Sequence, residues 1–178
     1  MVRLNPDQRR LVWFDNGVVS AAINFVLSGV IGWPIFRGSP VPVRGVPKGV
    51  AVDFVSTCFL LPAATTVIVT TLVRRRVRDG RVDRLAKLPP VLRPVSRPLA
   101  ARAVLLGSLA TGVLGAPLAA GLILWGGRAW SPETFVIAKS VFAGALAWVV
   151  TPVIAAAALA DPPRPVPEPS VVVRRSRA

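Results

Sequence analysis

The chain has 178 residues, 53% hydrophobic and only 17% charged, with 22 Lys and Arg against 8 Asp and Glu and a net charge of +14. It has no histidine and one cysteine, Cys58, which excludes intrachain disulfides, a CxxC redox pair, bis-histidine haem and the usual zinc sites. Its positive charge gathers at the ends of apolar runs, which points to anionic lipid head groups and argues against nucleic acid.

Residues 1–12 are polar and basic and read as a short cytoplasmic segment. Asn5-Pro6-Asp7 has the grammar of a helix start: an N-cap, a proline in the first turn and a carboxylate on the positive end. The first membrane span is expected over residues 14–36. Its apolar core is too long for a signal peptide, and no small-x-small cleavage site follows. Asn16, Ser20, Asn24 and Ser28, with Gly32, recur every fourth residue and so share one helical face. Two readings are open: a stripe of interhelical contacts, which bundles commonly use, or a polar lining for a solute path.

Pro and Gly then break the chain over 37–49. The second span is expected over 50–73, with Asp53 near its start, Pro62 near its middle and Thr57, Thr65, Thr66, Thr70 and Thr71 along it. Pro62 should kink or loosen a turn, with nearby hydroxyls satisfying freed backbone groups. The helix is expected to run on through the arginines and stop at Gly80. The loop 74–100 carries nine Lys or Arg, Arg74, Arg75, Arg76 and Arg78 foremost as contacts for anionic lipid of the inner leaflet. Val82, Leu85 and Leu88 fit either a solvated loop or a short amphipathic piece on the membrane surface.

The third span is expected over 103–125. Gly107, Thr111, Gly115 and Ala119 form one four-residue series; Ser108, Gly112, Ala116 and Ala120 form the adjacent one. Small residues so spaced let backbones approach, which makes this the expected central packing helix, with a kink at Pro117. Ser131-Pro132-Glu133 opens the fourth span, 134–160, which holds Lys139 and Thr151. Five prolines at 162, 163, 165, 167 and 169 forbid regular structure, so 161–178 reads as a disordered cytoplasmic tail.

The fold expected is an all-α integral membrane protein: four transmembrane helices in a compact bundle over residues 13–160. Nine basic residues lie in the central loop 74–100, against four (Arg37, Arg44, Lys48 and Arg128) in the other two loops. That count puts the central loop and both termini of a multi-pass cell-membrane protein in the cytoplasm. Trp33, Trp125 and Trp130 then fall at the outer interface. An 86-residue shift lays Asp53 on Lys139, Thr65 on Thr151 and Gly29 on Gly115, which raises the reading of two tandem two-helix hairpins related by an axis along the membrane normal.

Asp53 and Lys139 stand a few residues inside their helix starts with opposite charge. An unpaired intramembrane charge is costly, so mutual pairing, snorkelling and a solute-site role are the readings to separate. With no Walker loop, nucleophile elbow, metal spacing or paired carboxylates, the sequence offers no enzyme and implies no cofactor. The expected function is that of a non-catalytic accessory or structural membrane component. The alternative is a small transporter or permease subunit, oligomeric or joined to another membrane subunit, with Asn24, Asp53, Thr57, Lys139 and Thr151 as its polar membrane site. Transport predicts a polar cavity reaching Asp53, and the accessory reading predicts a filled bundle.

Overall fold

A computed structural model describes residues 4–46, 49–85 and 98–161. Four helices dominate it: α1 (Pro6–Phe36), α2 (Val50–Arg78), α3 (Leu99–Trp125) and α4 (Pro132–Leu159), each long and apolar enough to cross a membrane. At a rise of about 1.5 Å per residue each is about 40 Å or longer, more than the ~30 Å hydrocarbon layer. Helices α1, α3 and α4 begin before the expected spans and α2 runs past its own, because these end signals lie outside the apolar runs.

Those signals are specific. Asn5 and Gln8 make a reciprocal capping box: the Gln8 N–H donates to Asn5 Oδ1 at 2.8 Å and the Asn5 N–H to Gln8 Oε1 at 3.0 Å. Ser131 Oγ accepts from the Thr134 N–H at 3.2 Å at the start of α4. The α2 terminus is a Schellman motif. Gly80 takes φ +68°, its N–H reaches Val77 O at 3.1 Å, and the Arg81 N–H reaches Arg76 O at 3.0 Å.

Two helices contain wide π turns, over Arg10–Val18 in α1 and Thr111–Gly115 in α3. The second lies just ahead of Pro117 and is the local form taken by the expected disturbance there. In the first, Asn16 Nδ2 donates to Leu11 O at 2.7 Å and so occupies a carbonyl of the widened turn. Around Pro62, α2 stays continuous; Thr66 Oγ donates to Pro62 O at 2.6 Å, and Thr65 Oγ1 donates to Leu61 O.

Substantial packing joins α1 to α4, α4 to α2 and α2 to α3. The order across the molecule is therefore α1–α4–α2–α3. Neither α1 with α2 nor α3 with α4, the two helices of each hairpin, makes an extended contact. A two-stranded antiparallel pair, β1 (Val41–Pro42) with β2 (Ala129–Trp130), ties together the loops at one end, with Val41 opposite Trp130. Arg44 reaches across to Ile123 O at 2.6 Å.

The expected centrality of the third span is corrected. In their most apolar stretches 56% of α4 is buried, against 28% of α3 and 6% of α1. Only one of the two small-residue series on α3 meets a neighbour. A Cβ on Gly107 would fall 2.9 Å from Phe59 O, and one on Gly115 would fall 3.2 Å from Cys58 Cβ, whereas Gly112 has nothing within 4 Å. Helix α4 is central because α1 and α2 both pack on it. It supplies its own small surface at Ala143, Gly144, Ala147, Ala155, Ala157 and Ala158, all buried.

Two apolar clusters lie toward the two ends. One gathers Leu11, Val12, Val69, Val73, Leu106, Ile154 and Leu159; the other gathers Val41, Val50, Phe54, Phe135 and Val136. Leu85 joins the first cluster. It is buried in an irregular segment and its N–H donates to Leu159 O at 3.0 Å, so it packs on the protein instead of forming an amphipathic helix on lipid. Leu88 and most of the proline-rich connector lie outside the described residues, as does the expected tail beyond Asp161.

Candidate functional site

Because α1 and α2 both lean on α4 without closing on each other, a groove of about 730 Å3 runs between them. Its wall on α1 is the four-residue face Asn16, Ser20, Asn24 and Ser28, and its wall on α2 includes Thr57 and Thr65. The intervening lining is apolar, with Ile23, Leu27, Leu60, Leu61, Ile68 and Leu72 prominent. Helix α4 contributes Lys139. Gly32, the fifth member of the α1 series, lies outside the groove, buried against Val136.

An ion pair marks each end. Where α2 and α4 begin, Lys139 Nζ donates to Asp53 Oδ1 at 2.7 Å, the two side chains being 18% and 19% exposed. Asp53 Oδ2 is buried with no hydrogen-bond partner among the described residues. The ammonium also lies 5.6 Å from the Phe36 ring centre and 5.9 Å from that of Phe135, a cation–π setting that steadies it in an apolar surround. At the other end Arg76 donates to Asp15 Oδ2 at 2.7 Å, between more exposed side chains.

Between the two pairs, polar groups hold the helix positions. Asn24 Nδ2 donates to Ser20 O at 2.8 Å, and Ser20 and Thr151 hydroxyls share a hydrogen bond of 3.2 Å between α1 and α4. Thr57 Oγ1 donates to Asp53 O at 2.8 Å. Of the expected polar membrane residues, Asn24, Asp53, Thr57 and Lys139 line one groove, while Thr151 is buried behind it as the partner of Ser20. Within the α1 stripe Ser20 makes a helix contact, and the face as a whole lines a groove.

No protein-family model matches the sequence, and no curated protein or solved structure matches it either.

A second charge cluster escaped the sequence reading. Arg102, 0% exposed, grips Asp161, 7% exposed, through two hydrogen bonds of 2.6 Å and 3.2 Å. Arg74 adds a contact of 2.8 Å to the same carboxylate, and Arg84 donates to the Asp161 carbonyl. Gln8 Nε2 reaches Asp83 O at 3.0 Å beside it. The first residue of the expected tail is therefore a buried anchor that ties the end of α4 to α2 and α3. The signal available was scarcity: with so few carboxylates, one beside an apolar run has arginines to meet.

The four arginines expected at anionic lipid all have carboxylates near them. Arg74 faces Asp161, Arg76 faces Asp15, and Arg75 and Arg78 stand 4.0 Å and 3.9 Å from Asp79. Arg75 and Arg78 stay largely exposed; Arg74 is drawn into the protein.

Proposed function

We propose that the protein is a non-catalytic multi-pass membrane component, with its basic α2–α3 side in the cytoplasm, whose working surface is the groove between α1 and α2. In this reading the groove receives a guest from the bilayer. One observation carries it: the least buried helix, α1, turns Asn16, Ser20, Asn24 and Ser28 into a groove that no other helix among the described residues fills. Polar groups inside an apolar layer normally find a partner on a neighbouring helix. A membrane-facing groove lined by such groups is a binding surface by the same logic that makes concave, mostly apolar sites ligand sites.

The test is purification in mild detergent followed by native mass spectrometry. Stoichiometric lipid or another bound molecule is expected on the native protein and should be lost from Ala64→Trp, which fills the groove from α2. Ala116→Trp, on an exposed face of α3, should retain it. Equal retention by the two variants would remove the groove as the site.

The transport reading has its own support. The groove runs from the Asp53–Lys139 pair to the Asp15–Arg76 pair, so it reaches toward both ends of the helices. A carrier subunit would use that continuity to move its guest, and vesicle-based flux would separate it from a static binder.

For the fold, we further propose that the chain is two tandem hairpins. Asp53 and Lys139 meet although they stand 86 residues apart, the offset that superposes the halves. That shift exchanges α1 with α3 and α2 with α4. It therefore maps the α1–α4 contact onto α3–α2 and returns α2–α4 to itself, which is the observed set of packings. Opposite charges at equivalent positions favour pairing the two unlike halves, because two identical hairpins would set like charges together.

A further inference from the structure

We infer that the guest of the groove is an amine-headed phospholipid, with its ammonium on Asp53, its phosphate on Lys139 and an acyl chain laid between α1 and α2. This rests on the groove reading above and adds the chemical class of the guest.

The argument starts at the ion pair. A carboxylate and an ammonium that face the same groove match, charge for charge, a zwitterion carrying an ammonium and a phosphate. Both residues also have hydrogen-bonding capacity left over. Lys139 has three N–H donors, and the pair uses one on Asp53 Oδ1. Asp53 Oδ2 is buried without a partner, a condition that proteins rarely leave unanswered. A primary ammonium entering from the groove brings the missing donors, and rotation of the carboxylate about its Cβ–Cγ bond turns an oxygen toward it. The phosphate accepts from the remaining lysine protons.

Depth fits this assignment. At about 1.5 Å per residue, Asp53 lies about 5 Å and Lys139 about 10 Å inside the ends of their helices. That is where a head group meets the start of its acyl chains. From there the lining turns apolar through Leu27, Ile23, Leu60 and Ile68, all exposed along the groove. A water-soluble zwitterion would gain nothing from that surface, whereas an acyl chain covers it. The volume of about 730 Å3 lies within the usual range of ligand sites.

Lipids with identical acyl chains and different heads provide the test. The full-length protein is equilibrated in mixed vesicles containing equal amounts of phosphatidylethanolamine, phosphatidylcholine and phosphatidylglycerol, then extracted in mild detergent and analysed by native mass spectrometry. Choline has no N–H to donate and glycerol has no positive charge. Phosphatidylethanolamine should therefore be enriched on the protein roughly ten-fold or more over each, the worth of one charge-assisted hydrogen bond. The double substitution Asp53→Asn with Lys139→Met leaves no stranded charge; it should keep the lipid count and lose the preference. Retention of the three lipids in equal amounts would overturn the head-group assignment and leave the groove reading standing. An enrichment that survives the double substitution would also overturn it, by placing the preference elsewhere. A second protein chain in place of lipid would overturn it too, and loss of every guest would sink the groove reading itself. The head-group series on the native chain gives its answer even if the double variant fails to fold.

Discussion

Asp161→Asn is the substitution that separates structural from superficial charge in this protein. The side chain keeps its shape and loses its charge, leaving Arg102 at 0% exposure and Arg74 at 31% without their anion. Removing one partner of a buried ion pair costs about 3–5 kcal/mol, because the remaining charge has no compensation. Asp161 serves two guanidiniums, one held by two hydrogen bonds, so the upper part of that range is expected. Asp15→Asn is the matched control. It breaks a pair of the same type and a similar 2.7 Å separation, but with side chains 33% and 44% exposed, where such pairs contribute about 0–1 kcal/mol. Thermal unfolding of both variants in one detergent measures the difference. If Asp161→Asn loses no more stability than Asp15→Asn, burial does not set the strength of these pairs and the account of the anchor is wrong.

Three further outcomes are expected. In the Asp53–Lys139 cycle, Asp53→Asn and Lys139→Met should each destabilise by about 1–4 kcal/mol, and the double variant should recover much of the loss; additive losses in chemical denaturation would mean that the two do not interact. Gly107→Ala should lower the unfolding temperature, because its Cβ would lie 2.9 Å from the Phe59 carbonyl oxygen, while Gly112→Ala, with nothing within 4 Å, should be neutral or slightly stabilising. On a Cys58→Ser background, an impermeant thiol reagent applied to intact cells should label cysteines placed in 38–47 and spare those in 74–100; the opposite pattern would invert the proposed orientation.

Helix boundaries were legible because they rest on local chemistry. Asn5 with Gln8, Ser131 with Pro132, and Gly80 after the arginines each satisfy backbone groups within a few residues, and the sequence displays all the parts. The Asp53–Lys139 contact was legible for a different reason: two isolated opposite charges at similar depth have few other partners. Packing order was less accessible. Glycines in α3 suggested a central helix, yet alanines in α4 provide an equally small surface, and which small face meets a neighbour depends on helix rotation. The Arg102–Asp161 anchor was hidden by its surroundings. Asp161 precedes a proline-rich run that reads as disorder, and Arg102 falls between the basic loop 74–100 and the apolar run that follows, where an arginine reads as one more flanking charge.

Two of the ion pairs fall where helix packing is absent. Helices α1 and α2 do not close on each other, and Asp15–Arg76 joins them at one end of the groove. Helices α3 and α4 do not close either, and Arg102–Asp161 joins the start of one to the end of the other. The β1–β2 pair holds the opposite ends of the hairpins, linking the chain that leaves α1 to the chain that enters α4. Each outer helix is thus fastened near its termini and packed along one side only. In lipid, where apolar surface alone gives helices little reason to associate, such fastenings and close small-residue contacts determine the arrangement. The arrangement leaves the polar face of α1 along a groove in the middle of the helix, between the Asp15–Arg76 pair at one end and the β1–β2 pair at the other.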